Sequence, residues 1–250
     1  MLKQKTIIHP DFEHLRHFIQ NLPYQFHKAG ITIHEGRNEL RLYEVDGYSL
    51  VVKSYKRPHI LNRIIYGFIR ASKAERAYRY GLKLLNTDFN TPQPVGYVTC
   101  RRGLLLDKSY SVTIKSDLPY TFKDFSKQTF KRQDEILKSI ALYTARLHEA
   151  GFLHKDYSAG NILFDDIPNK IPIEIVDLNR IIFRKVNMRK GCKNFERLPG
   201  NDHMLNIMAT TYAKARGYDA ETCFKLIKKY VQIELETRKK QLKKDLRTKS

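Results

Sequence analysis

The sequence predicts an α+β protein of two lobes, a small one built on an antiparallel sheet and a larger, mainly helical one. Three observations carry this. Short β-branched and aromatic runs separated by turn residues fill the first third. Helical periodicity dominates the remainder. Of the 250 residues 42% are hydrophobic, enough for one core divided between two lobes. The chain reads as a single domain, with the smaller lobe at about residues 1–108 and the larger at about 109–250. A cleft between such lobes is a natural place for a ligand.

Taken in order, Pro10 to Leu22 carries Phe12, Leu15, Phe18, Ile19 and Leu22 at helical spacing, with Asp11 as the expected cap. Three strands follow, at Ile31–Ile33, Leu40–Tyr43 and Tyr48–Tyr55, and Asp46-Gly47 marks a hairpin between the last two. A helical pattern runs from about Asn62 to Leu85 and stops before Thr91-Pro92-Gln93-Pro94. Strand-like runs come next at Val95–Val98, Leu104–Leu106 and Tyr110–Ile114. Phe130 to Ala150 reads as one long amphipathic helix through Ile136, Leu137, Ile140, Ala141 and Leu147, with Gly151 as its stop. Two short apolar runs, Asn161–Phe164 and Ile173–Val176, precede a mostly helical end.

Composition narrows the function. Cys100, Cys192 and Cys223 are far apart and show no metal-ligand pairing, which fits a reducing compartment and argues against disulfides or a zinc site. No apolar stretch approaches the roughly 20 residues of a membrane span. The basic start, Met1 to Lys5, leads into Ile7-Ile8-His9-Pro10-Asp11 and not into a secretory apolar core, so the protein is expected to stay where it is made. The net charge of +20 attracts polyanions, among them nucleotides, nucleic acid, phosphorylated glycans and acidic lipid surfaces, or serves solubility alone.

The pattern His154-x-Asp156-x4-Asn161 lies between the long helix and a strand-like run. Phosphoryl transfer needs a carboxylate for the attacking hydroxyl's proton and an oxygen ligand for magnesium on the nucleotide phosphates. Asp156 and Asn161 supply both from one loop. Ile173-Glu174-Ile175-Val176 ends directly in Asp177-Leu178-Asn179, a second carboxylate at a strand end, where kinases carry a magnesium-binding Asp. Upstream, Lys53 follows Leu50-Val51-Val52 as in the Val-Ala-x-Lys arrangement, and Glu75 on the next helix is the carboxylate expected to hold it. Taken singly, Lys53 could be an exposed strand lysine and Glu75 a surface glutamate.

Leu147 to Asp156 resembles the helix end and catalytic loop of kinase-fold enzymes. Lys73-Ala74-Glu75-Arg76, Thr91-Pro92-Gln93-Pro94, Tyr157-Ser158-Ala159-Gly160-Asn161, Asp177-Leu178-Asn179-Arg180 and Asn194-Phe195-Glu196-Arg197-Leu198 resemble, in that order, motifs of the lipopolysaccharide kinases of the Kdo/WaaP type. The resemblance implies a protein-kinase-like fold using ATP and Mg2+. It makes Asp156 the catalytic base, gives Asn161 and Asp177 to the metal, and has Lys53 and Glu75 position ATP. It also implies an acceptor hydroxyl on an inner-core lipopolysaccharide sugar, Kdo or heptose, and a cytoplasmic enzyme working at the inner face of the bacterial inner membrane.

Departures from protein kinases bear on the acceptor. One glycine, Gly36, stands where a glycine-rich loop would be, with Arg37 beside it; Ser158 replaces a lysine; Asn179 replaces the glycine after the metal-binding Asp; and no Ala-Pro-Glu segment is present. These favour a glycan or small-molecule acceptor over a protein. Lys155 and Arg180 are the nearest cations in sequence for the transferring phosphoryl group. Two basic stretches carry apolar residues and are candidates for an anionic membrane surface or for solvated helices: Lys53 to Arg70, and Lys225 to Lys249 with Phe224, Ile227 and Val231. The competing readings are an aminoglycoside-like phosphotransferase, whose cationic substrate suits this charge poorly, an atypical protein kinase, and a pseudokinase scaffold. No nucleic-acid module is present, and nucleic acid is not an expected partner.

Overall fold

Six antiparallel strands form the sheet of the first unit, in the order β1-β5-β6-β4-β3-β2. They are β1 (Leu2–Ile8), β2 (Ile31–His34), β3 (Asn38–Val45), β4 (Tyr48–Tyr55), β5 (Pro94–Arg102) and β6 (Leu105–Ile114). The computed structural model describes residues 2–57, 71–103 and 105–247. The chain divides into Met1–Asp117 with Asp177–Arg180, and Leu118–Val176 with Ile181–Ser250.

The three strands read from the sequence are β2, β3 and β4. Asp46 and Gly47 take φ of 49° and 80°, the two left-handed residues of a tight hairpin whose twist matches its strands. Strand β1 was not foreseen. Lys3, Gln4, Lys5 and Ile7 are exposed and Ile8 is buried, so these residues show no alternation; pairing with β5 along its full length defines the strand. The runs expected at Leu104–Leu106 and Tyr110–Ile114 belong to one strand, β6, with Leu104 outside the described residues. Asp107 interrupted the apolar pattern, yet it is 5% exposed and is paired with Arg57 at 2.8 Å and Arg102 at 3.1 Å.

Period-two alternation sorts β4 between the two faces of this sheet. Leu50 and Val52 join a core made with Phe12, Leu15, Ile19 and Leu22, while Tyr55 joins Ala74, Tyr78 and Tyr97. The N-terminal segment opens as a 3-10 turn, Pro10–Leu15, and continues as α1 (Arg16–Gln25). Its cap is His9, whose Nδ1 accepts from the Asp11 N–H at 3.4 Å, so Asp11 sits in the first turn and not at the cap. Helix α2 (Lys73–Leu85) is capped by Ser72, whose Oγ accepts from the Glu75 N–H at 3.0 Å. The earlier part of that predicted helix, with the basic stretch through Arg63 and Arg70, lies outside the described residues.

The second unit is built on α3 (Gln133–Glu149), α4 (Met188–Asn194), α5 (Asp202–Arg216) and α6 (Ala220–Arg247). Helix α3 ends ahead of Gly151, which takes the left-handed φ of 79° expected of a stop. Two small sheets flank the helices: β7 (Tyr120–Thr121), β9 (Ile162–Phe164) and β10 (Ile173–Ile175), and β8 (Phe152–His154) with β11 (Ile181–Phe183). Ile136, Ile140 and Leu147 of α3, Met208 and Tyr212 of α5, and Cys223 and Ile227 of α6 are fully buried. Phe224 is half-buried, and farther along α6 Leu235, Leu242 and Leu246 are exposed.

Among the described residues no helix is long and apolar enough to cross a membrane. The three cysteines are free, buried thiols. Burial raises the Cys100 pKa to about 11, and it raises those of Cys192 and Cys223, which adjoin one another.

Candidate functional site

In the first unit, Lys53 emerges from β4 on the face of Tyr55 and not on that of Leu50 and Val52. Its Nζ lies 2.7 Å from Asp177 Oδ1, with 15% and 20% of the two side chains exposed. Asp177 holds a left-handed φ of 58°, a conformation that disfavours most side chains and recurs at functional sites. Asn179 is 5% exposed and its Nδ2 donates to Asp177 Oδ1. The Asn that replaces a glycine therefore orients the carboxylate.

Cations outnumber carboxylates here. Lys73 has its pKa lowered first by burial and then by Arg37, Arg180 and Arg76, with Asp177 opposing them. Such a concentration of positive charge suits a polyphosphate.

Glu75 does not make the contact expected of it. It lies 3.8 Å from Arg79 on its own helix, while Lys53 meets Asp177. Glu75 stands in the first turn of α2, its N–H bound by Ser72, where an acidic residue complements the helix dipole.

In the second unit the loop after β8 is closed by its own hydrogen bonds. The Ser158 N–H donates to Asp156 O at 2.8 Å, and the Asn161 N–H to Ser158 O at 2.8 Å. Asn161 Nδ2 donates to Asp156 O at 2.8 Å, which commits the amide nitrogen and leaves the side-chain oxygen as the ligand end. The Val176 N–H donates to Asn161 O at 3.0 Å. His154 is fully buried; its Nδ1 accepts from the Asp156 N–H at 3.0 Å, so Nε2 carries the proton donated to Val176 O at 3.0 Å. Tyr157 is 1% exposed and shares a 2.7 Å bond with Thr144 Oγ1. Thr144 in turn donates to Ile140 O, which ties the loop to α3.

Arg197 is the residue that sequence reasoning missed. Its guanidinium donates to Asp156 Oδ1, and its carbonyl accepts from the Ala159 N–H at 3.2 Å. Of the two cations proposed from sequence, Lys155 and Arg180 are both exposed. Arg197 thus brings a cation to Asp156 from a distant segment of the chain.

The same segment braces the loop. Asn194 Nδ2 donates to His154 O at 2.9 Å, so its oxygen accepts from His148 Nε2 at 2.9 Å, and His148 Nδ1 accepts from the Tyr212 hydroxyl at 3.0 Å. Burial lowers the His148 pKa to about 4. Below pH ~6.5 the unfolded chain takes up a proton that the folded chain refuses until about 4, so this group costs stability as pH falls through that window. The cost reaches roughly 3 kcal/mol at the lower end. Urea unfolding between pH 7 and 4.5 should show this slope, and His148→Gln should flatten it; an unchanged slope would show that His148 does not titrate as described.

Asp177 in the first unit and Asn161 in the second are each, by residue type, hard oxygen donors of the kind magnesium takes, and a nucleotide-held magnesium needs only one or two protein side chains. Among the described residues no group of three or more His, Cys, Asp or Glu could hold a metal by itself.

The model of the lipopolysaccharide kinase (Kdo/WaaP) family matches residues 35–215. No curated protein matches the chain. Among solved structures the chain is similar to WaaP in complex with acyl carrier protein, with a TM-score of 0.64 and 16% identity, over 94% of this chain and 98% of that one. It is similar to the Rio2 kinase of Chaetomium thermophilum in an ADP/Mg2+-phosphoaspartate complex, with a TM-score of 0.50 and 12% identity, over 92% and 78%. A microcompartment-associated aminopropanol kinase gives a TM-score of 0.50 and 12% identity, over 81% and 80%. At such identities the likeness shows the fold alone, and the fold is the kinase-like α+β fold expected from the sequence.

Proposed function

Because the chain belongs to the lipopolysaccharide kinase (Kdo/WaaP) family and is a phosphotransferase, we propose that it moves the γ-phosphate of ATP to a hydroxyl of an inner-core lipopolysaccharide sugar, Kdo or heptose. The observation that carries the chemistry is the loop that fixes Asp156 through His154, Asn161 and Arg197.

In this reading Asp156 receives the proton of the acceptor hydroxyl as its oxygen bonds to phosphorus. Lys53, Lys73 and Arg37 bind the phosphates, and Asn161 and Asp177 are the magnesium ligands by their motif positions. Bound magnesium supplies charge neutralisation on the phosphates. Glu75, acidic in the first turn of α2, complements the helix dipole there. The exposed second half of α6, with Leu242 and Leu246 among Lys239, Lys240, Lys243 and Lys244, suits a peripheral position on the anionic cytoplasmic face of the inner membrane.

Transfer of label from γ-labelled ATP with magnesium tests the acceptor, using lipid A–core glycolipid, a generic protein and an aminoglycoside side by side. Label on the glycolipid alone is expected. Label on the protein or the drug would retain the kinase and replace the acceptor.

A further inference from the structure

Helix α6 lies beyond residues 35–215, the part of the chain that matches the family model, yet it reaches the catalytic loop. Arg238 Nε lies 2.7 Å from Glu234 Oε1, and Arg197 Nε lies 3.6 Å from the same oxygen. One glutamate of α6 therefore stands between its own arginine and the arginine that binds Asp156. The two guanidiniums feel one another: burial and then Arg238 lower the Arg197 pKa, against Glu234.

Arg197 and Arg238 border a cavity of about 550 Å³ whose lining also includes Lys123, Phe125, Ser158 and Asn201. That volume falls within the roughly 300–1,000 Å³ usual for small-ligand sites. Lys123 is the third cation. A Cβ built on Gly160 would lie 2.9 Å from Lys123 Nζ, so the ammonium rests directly over the loop, and Gly160 leaves the room for it. Asp124 beside it is taken by Lys127 at 2.8 Å, and among the described residues no carboxylate pairs with Lys123. Three cations thus border the cavity, two of them paired with carboxylates outside its lining: Arg197 with Asp156 and Arg238 with Glu234. Phe125 supplies an apolar wall, and Ser158 and Asn201 supply polar groups suited to hydroxyls.

We propose that α6 completes the acceptor pocket, and that Arg238 and Lys123 bind a negatively charged substituent, carboxylate or phosphate, on the sugar whose hydroxyl is phosphorylated. Glu234 acts as a positioning residue, holding Arg238 toward the cavity and steadying Arg197. This rests on the reading of Asp156 as the group that receives the acceptor's proton. A cationic acceptor would meet a pocket of its own sign, and an uncharged one would forgo the charge-assisted pairing with two cations that an anionic substituent gains.

The test separates binding from transfer. Calorimetry with deacylated core oligosaccharide is run on the full-length protein and on its Arg238→Gln and Arg238→Lys variants. The oligosaccharide is used intact, carboxyl-reduced, dephosphorylated, or treated both ways. Arg238→Gln should weaken binding of the intact oligosaccharide about tenfold, with ATP affinity and melting temperature unchanged, and Arg238→Lys should recover part of the loss. The treatment that abolishes the difference between the natural protein and Arg238→Gln identifies the anion.

Equal binding by the two proteins would overturn the proposal, as would a difference that survives both treatments, or no binding of any oligosaccharide. Arg238-dependent binding without phosphate transfer would retain the pocket and sink the proposed reaction. Transfer with an unchanged acceptor KM in Arg238→Gln would do the reverse.

Discussion

Asp156→Asn is expected to lower kcat by about 10²–10⁴-fold, the range lost when a positioned general base is removed, while ATP affinity stays within about twofold. Asparagine keeps the size of the side chain and an oxygen that can accept from Arg197, so the loop bonds made by His154, Asn161 and Arg197 have no reason to break. What disappears is the basic carboxylate. Equilibrium nucleotide binding, a thermal melt and a single-turnover transfer assay on the same preparation separate these effects. A variant that retained a tenth or more of the natural rate would show that Asp156 only orients the acceptor. A variant that failed to bind ATP would point to a disturbed fold and not to lost chemistry.

How much of this was legible in the sequence depends on whether the chemistry is contiguous in the chain. His154, Asp156 and Asn161 lie in one loop, and the bonds among them are local, so their spacing announced them. Asp177 was legible for a related reason: it ends an apolar run of strand type, and strand ends of that kind present their last side chain. Arg197 and Lys123 meet the loop only through tertiary structure. They are two of 46 basic residues, and nothing in their neighbourhoods marks them as different from a solvated lysine or arginine. Asn194 and Arg197 did stand in a stretch that resembled the family, which is the signal that could have found them; their physical roles required the contacts. Strand β1 escaped for the opposite reason. An edge strand whose Lys3, Gln4, Lys5 and Ile7 are all exposed carries no pattern, since pairing with β5 and not burial defines it.

The expectation for Glu75 rests on a sound premise, that a cation on a central strand needs a carboxylate. Sequence offers Glu75 on the next helix as the candidate. The structure gives Lys53 to Asp177, a residue far along the chain that joins the first unit with Leu178, Asn179 and Arg180. This yields an ordering of variants. Asp177→Asn should lower kcat/KM by on the order of 10²–10³-fold, the usual cost of removing one preorganised electrostatic group, with little change in melting temperature. Asparagine is among the few residues that tolerate the left-handed backbone found at this position, so the substitution removes charge without adding strain. Lys53→Met should raise the KM for ATP by at least tenfold, since it removes a phosphate-binding cation together with the partner of Asp177. Glu75→Gln should change either constant by less than about threefold, the size of a lost helix pair whose arginine is exposed. Steady-state kinetics on the three variants decide the matter. If Glu75→Gln proves as damaging as Lys53→Met, Lys53 exchanges Asp177 for Glu75 during turnover, and the 2.7 Å pair belongs to a resting arrangement. If the ordering stands, Asp177 is the carboxylate that fixes Lys53 in the working enzyme.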